Sequence, residues 1–164
     1  MKVIVDTNVA VVANERNSAA GPRCVLTCVN HLSAIQQEHI LVLDDQWRII
    51  REYMAELRSE GQPGVGDAFL KWVLTNRNNP NRCTYVHITP VSGSEDENDF
   101  VEFPDDVRLA KFDRADRKFV AVARSHPEHP PIYNATDTDW MPVSSVLLEY
   151  DVMVEFLCPE EIFR

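Results

Sequence analysis

The sequence has no apolar run approaching the roughly 20 residues that a membrane-spanning helix needs, so none is expected. The apolar start "MKVIVDTNVA" is broken by Asp6, which excludes it as a signal peptide. Positive charge is scarce: 16 Lys and Arg face 26 Asp and Glu, a formal net charge of −10. Such a chain is no general nucleic-acid or membrane coat, although a local basic patch still suits a nucleic-acid enzyme. Cysteine is limited to Cys24, Cys28, Cys83 and Cys158, without the spacing of a disulfide framework. Reduced thiols and a cytoplasmic setting are therefore expected. No internal repeat and no linker divides the chain, so residues 1–164 read as a single domain.

What is present suits a folded core. Hydrophobic residues make up 45% of the chain, too many for disorder. Short, uniformly apolar runs predict five strands: "KVIV" (2–5), "HILVL" (39–43), "CTYVHI" (83–88), "PIYN" (131–134) and "VMVEFL" (152–157). Between them lie helical patterns: "RCVLTCVNHLSAIQQE", "QWRIIREYMAEL" with an apolar stripe of Trp47, Ile50, Met54 and Leu57, "DAFLKWVLTNR", "ADRKFVAVARSH" and "PVSSVLLEY". "GQPG" (61–64) stops one helix, and the acidic stretch from Ser92 to Asp106 reads as a mobile surface loop. Alternating strands and helices predict an α/β fold, three layers α/β/α around a central, mostly parallel five-stranded sheet. Ligands of such sheets bind outside the carboxyl ends of the strands.

The acids are placed to match. Asp6 follows the first strand; Asp137 and Asp139 follow the fourth in "YNATDTDW". Glu52 lies on the helix after the second strand, and Asp116 opens the helix leading to the fourth. Acids that meet raise one another's pKa unless a cation neutralises them. Oxygen-only ligands select Mg²⁺ or Mn²⁺, and such an ion suits phosphodiester hydrolysis without a Ser, Cys or His nucleophile.

The ordered set "VIVDTNV", "LVLDDQWRIIREY", "DRKFVAVA" and "ATDTDW" resembles the motifs of PIN-domain nucleases, which include the VapC-type toxin ribonucleases. The resemblance spans nearly the whole chain and implies a PIN-like, Rossmann-like fold and a Mg²⁺- or Mn²⁺-dependent endoribonuclease. It assigns catalytic roles to Asp6, Glu52, Asp116 and Asp137, and metal binding to Asp6, Asp116, Asp137 and Asp139. Thr7 and Asn8 would orient these carboxylates. It also implies an RNA substrate with DNA not excluded, a homodimer and, for toxin relatives, a neutralising antitoxin. Ala135 departs from the family's hydroxyl-bearing residue in the fourth motif, and Asp44 and Asp45 compete with Glu52 as the second acid.

Arg108, Lys111, Arg114 and Lys118 recur at helical steps near Asp116, with Arg117 alongside. Arg114, Arg117 and Lys118 are thus candidates to bind the substrate backbone, against a solvated face paired with neighbouring acids. Two other classes compete with the nuclease. A phosphatase or phosphotransfer domain would use Asp6 as nucleophile, yet Asn8 stands where a second acid belongs. A PIN-like domain with incomplete chemistry would only bind a partner. Cys24, Cys28 and His31 share a helical spacing, but no second ligand pair follows at finger-like distance, so the cysteines read as core.

Overall fold

The computed structural model describes residues 1–17, 19–58, 63–94 and 97–163. Five short strands, β1 (Lys2–Val5), β2 (Ile40–Asp44), β3 (Cys83–Val86), β4 (Ile132–Asn134) and β5 (Val154–Phe156), form one sheet in the order β3-β2-β1-β4-β5. Every pairing is parallel. β1 and β2 bury nearly all their side chains, as a sheet covered on both faces requires.

The helices are α1 (Thr7–Ala13), α2 (Pro22–Glu38), α3 (Arg48–Glu56), α4 (Val65–Asn76), α5 (Arg117–Ser125), α6 (Ser144–Glu149) and α7 (Pro159–Ile162). By the right-handed crossover rule α1 to α4, on the way out to β3, belong to one face, and α5 and α6, on the way back to β4 and on to β5, to the other. The mutual packing of α1, α2 and α4, and that of α5 on β1, β2 and β4, agree. Three layers result, and the chain's direction across the sheet reverses between β1 and β4, the switch point at whose carboxyl ends ligands of such sheets bind. α1 and α4 pack closely at Gly66, where a Cβ would stand 2.0 Å from the Ala10 carbonyl oxygen.

Several details differ from the sequence reading. α1 follows directly on Asp6, which caps it by accepting from the Asn8 amide; seven residues are too few to show a helical period. The buried face of α3 is Ile49, Ile50 and Tyr53, while Met54 is exposed. Trp47 takes a left-handed backbone (φ 62°), so the helix begins only at Arg48 and its face is rotated. The acidic stretch is tied down where described: Thr89 donates to Glu102, Ser94 to Asp99, and Pro90 bridges Phe100. Glu95 and Asp96, and the helix stop at Gly61 and Gln62, lie outside the described residues.

The expectation of reduced cysteines is overturned. Cys24, on the buried face of α2, and Cys158, just past β5, form a disulfide across 134 positions. Their spacing carries no local signal because the fold, not the chain, brings them together. Cys28 and Cys83 are buried thiols. Among the described residues no helix is long and apolar enough to cross a membrane.

Candidate metal centre

Parallel register sets the site. Val5 lies beside Tyr133, and the Asp6 amide donates to the Tyr133 carbonyl at 3.0 Å, so β1 and β4 end together. Asp6 is buried, and each of its oxygens has a donor: the Asn8 amide at 3.2 Å on Oδ1 and the Trp140 indole N–H at 3.0 Å on Oδ2. Trp140 is fully buried under the acids, its ring edge against Phe112.

Asp116 closes a 3-10 turn, Arg114–Asp116, that leads into α5. Asp137 caps another, Thr138–Val143, by accepting from the Asp139 amide at 2.9 Å. Carboxylate oxygens of Asp6, Asp116 and Asp137 all lie within 4.8 Å of one another.

Fully buried Asn134, which ends β4, locks the two loops. Its amide donates to the Asp137 carbonyl at 2.9 Å and accepts from the Asn8 side chain at 2.6 Å. The Asn8 oxygen in turn accepts from the Ala135 amide at 2.7 Å. Asn8 thus braces the loop that carries Asp137 rather than touching a carboxylate with its side chain. Ala135 is fully buried and joins this lock through its backbone. Thr7 donates to Glu52.

The second-motif acids separate by use. Asp44 is buried and folded back on its own helix, accepting from the amides of Arg48 (3.0 Å) and Ile49 (2.9 Å). Asp45 pairs with His87 at the surface. Glu52 stands next to the triad, bonded to Thr7 and to Lys118 Nζ at 2.8 Å. It completes no ligand set with the three aspartates, but its charge acts on Asp6 and Asp116. Asp139 is exposed and lines a neighbouring cavity with Asp113 and Lys111, apart from the triad.

The electrostatics of the triad follow from burial. Burial, and then the carboxylates of Glu52 and Asp137, push Asp6 up to about 7 against the pull of the Asn8 amide. Burial, then Asp6 and Asp137, push Asp116 up to about 9. Asp137 is raised too, chiefly by burial. A divalent cation fits these residues: oxygens at about 2.1 Å around Mg²⁺ stand about 3–4 Å apart, a small adjustment from the spacing here. It would also relieve the repulsion that now favours protons.

The basic residues do not form one stripe, because the 3-10 turns break the helix that would align them. Arg114 and Arg117 reach Asp99 at 2.7 and 3.4 Å, and Arg117 lies buried over the Phe103 ring. Arg108 pairs with Asp106 and Glu149. Lys118 faces Glu52 and also lines a cavity of about 350 Å³ with Gln46, Arg48 and Arg51. The two arginines on α3 carry no motif, and only their helical spacing of three could have marked them.

Comparison with protein-family models, with curated proteins and with solved structures finds no match.

Proposed function

We propose that this chain is a PIN-like nuclease that hydrolyses phosphodiester bonds in single-stranded RNA, with Mg²⁺ or Mn²⁺ held by Asp6, Asp116 and Asp137. The observation that carries this reading is the meeting of three carboxylates from separate parts of the chain, within 4.8 Å, at the carboxyl ends of β1 and β4. A structural role alone does not account for them, since buried acids without cations destabilise a fold.

When bound, such an ion neutralises the triad, polarises a phosphoryl oxygen and makes an attacking water more acidic. The chain's own contribution is placement. Trp140 and the Asn8 amide fix both oxygens of Asp6. The Asn8–Asn134 lock holds the Asp137 loop in register with β1. Lys118 holds Glu52 beside the triad, and with Arg48 and Arg51 it offers positive charge to backbone phosphates in the adjoining cavity.

The test is cleavage of end-labelled single-stranded RNA, with single-stranded DNA as the comparison. Cleavage is expected with Mg²⁺ or Mn²⁺ and is expected to stop with chelator, Asp6→Asn or Asp116→Asn. Calorimetric titration with Mn²⁺ should show binding to the wild type and its loss in Asp137→Asn. Absence of Mn²⁺ binding, or cleavage that survives Asp6→Asn, overturns the reading. Hydrolysis of small phosphomonoesters alone would favour Asp6 as a phosphatase nucleophile instead.

A further inference from the structure

Away from the acids, the fold collects a second set of ligand-type side chains. Cys24 and Cys28 stand one turn apart on the buried face of α2, and Cys158 arrives from beyond β5. All three are fully buried, and their sulfurs lie within 4.8 Å of one another. A structural disulfide uses two of them, Cys24 and Cys158; Cys28 Sγ lies 4.0 Å from Cys158 Sγ. Sulfurs around a metal at about 2.3 Å stand about 3.8 Å apart when the ligands are tetrahedral, so Cys28 already sits at ligand spacing from its neighbour. Burial, with the Glu160 carboxylate adding to it, pushes the Cys28 thiol up to about 12. It is therefore a poor nucleophile toward the disulfide beside it.

We propose that, with the disulfide reduced, Cys24, Cys28 and Cys158 bind one thiophilic d¹⁰ cation, Cu(I) or Zn²⁺. Reduction by a thiol or phosphine adds two electrons and two protons across the Cys24–Cys158 bond and gives three thiols. Each sulfur loses its proton as it joins the cation, so up to three protons leave per ion bound. Soft thiolates select these ions and discriminate against Mg²⁺ and Mn²⁺, which take oxygen ligands. Three sulfurs satisfy Cu(I); Zn²⁺ normally completes its shell with a fourth ligand. Entry needs only local opening at α7, a four-residue helix that follows Cys158 and is pinned by Glu161 accepting from the Gly21 amide at 2.8 Å. The oxidised chain has only the Cys28 thiol to offer there, so disulfide and ion are mutually exclusive states of one cluster.

The experiment is anaerobic titration of the phosphine-reduced full chain with Cu(I), Zn²⁺ and Co²⁺, the last as a spectroscopic stand-in for zinc. It reads near-ultraviolet thiolate-to-metal absorption and competition with a chromophoric chelator. One equivalent of Cu(I) or of Zn²⁺ is expected to bind at the sulfurs, counted by the thiolate absorption, with at least tenfold weaker binding in Cys28→Ala and in Cys28→Ser and loss of that absorption after oxidation. The Cys24–Cys158 disulfide forms in both variants, so their fold is checked in the oxidised state. Asp116→Asn, which disables the carboxylate cluster, should leave this binding unchanged, so the outcome is separable from the nuclease reading. Failure of the reduced wild type to bind either ion, or undiminished binding by the Cys28 variants, overturns the proposal.

Discussion

Replacing Asp116 by Asn should make the metal-free protein more stable and leave it unable to gain from the cation. Asp116 is buried, and burial with its acidic neighbours holds its carboxyl up to about 9. In the unfolded chain the same group ionises near its ordinary value of about 3.9. Its folded pKa is raised, so its contribution is fully present below pH ~4 and is lost as pH rises toward the folded value. At pH 7 the folded chain retains a proton that the unfolded chain has released. That difference costs up to about 4 kcal/mol, from about three pH units at 1.36 kcal/mol each. Asn carries no such cost, and imperfect hydrogen bonding should reduce the gain to about 2–3 kcal/mol. For a chain of this size each 1 kcal/mol moves the melting temperature by about 2–4 °C. The assay is thermal and urea unfolding of both proteins in chelator, from pH 5 to 9, repeated with Mn²⁺. The wild type should lose stability with rising pH in chelator and recover it with Mn²⁺, whereas the variant should show a shallower slope and little response to the ion. If Asp116→Asn destabilises the metal-free protein, or if Mn²⁺ stabilises both proteins equally, burial and repulsion do not govern this cluster.

Other consequences can be measured directly. Trp140→Phe keeps an aromatic ring there but removes the indole donor to Asp6 and leaves a small void; stability should fall by about 2–3 kcal/mol, and Mn²⁺ titration should show weaker binding. Asp67→Ala should cost about 3–5 kcal/mol in urea unfolding, because the buried Asp67 carboxylate accepts from the amides of Arg58 and Gly64 and from Asn14 and Arg16. Burial alone would raise that carboxyl, but these donors outweigh it and hold it below the ordinary range. Its contribution is therefore present above pH ~4 and lost as pH falls through the folded value. Reduction of Cys24–Cys158 without added metal should lower stability by about 2–4 kcal/mol, read by urea unfolding with and without phosphine. Arg51→Ala, at the rim of the cavity beside Lys118, should weaken RNA binding and flatten its salt dependence by about one ion, measured by anisotropy.

The layered parallel fold was legible because its strands are short apolar runs separated by helical periods, a pattern set by local burial. Asp6, Asp116 and Asp137 stood out because each follows or opens an element that ends at the carboxyl edge of the sheet. Asp44 and Glu52 both compete for the second-acid role in the sequence, one at the end of β2 and the other on the helix after it. Only the chain's turn at Trp47, which directs the Asp44 carboxylate onto the α3 amides, separates them. Asn134 and the indole N–H of Trp140 act through directions that no spacing encodes. The same holds for the Cys24–Cys158 bond, whose partners are brought together only by the tertiary fold. The basic residues misled because their periodicity assumed one continuous helix, and Asp106 and Asp113 cap short turns there instead.

The bond between Trp140 and Asp6 joins residues 134 positions apart. A ribosome delivers Asp6 134 residues ahead of Trp140, so the first acid emerges long before it can be gathered with the others. In a nascent chain the three-carboxylate cluster stays unassembled until the segment carrying Asp137 and Trp140 docks against β1. Such high contact order makes assembly of the centre a late and slow event.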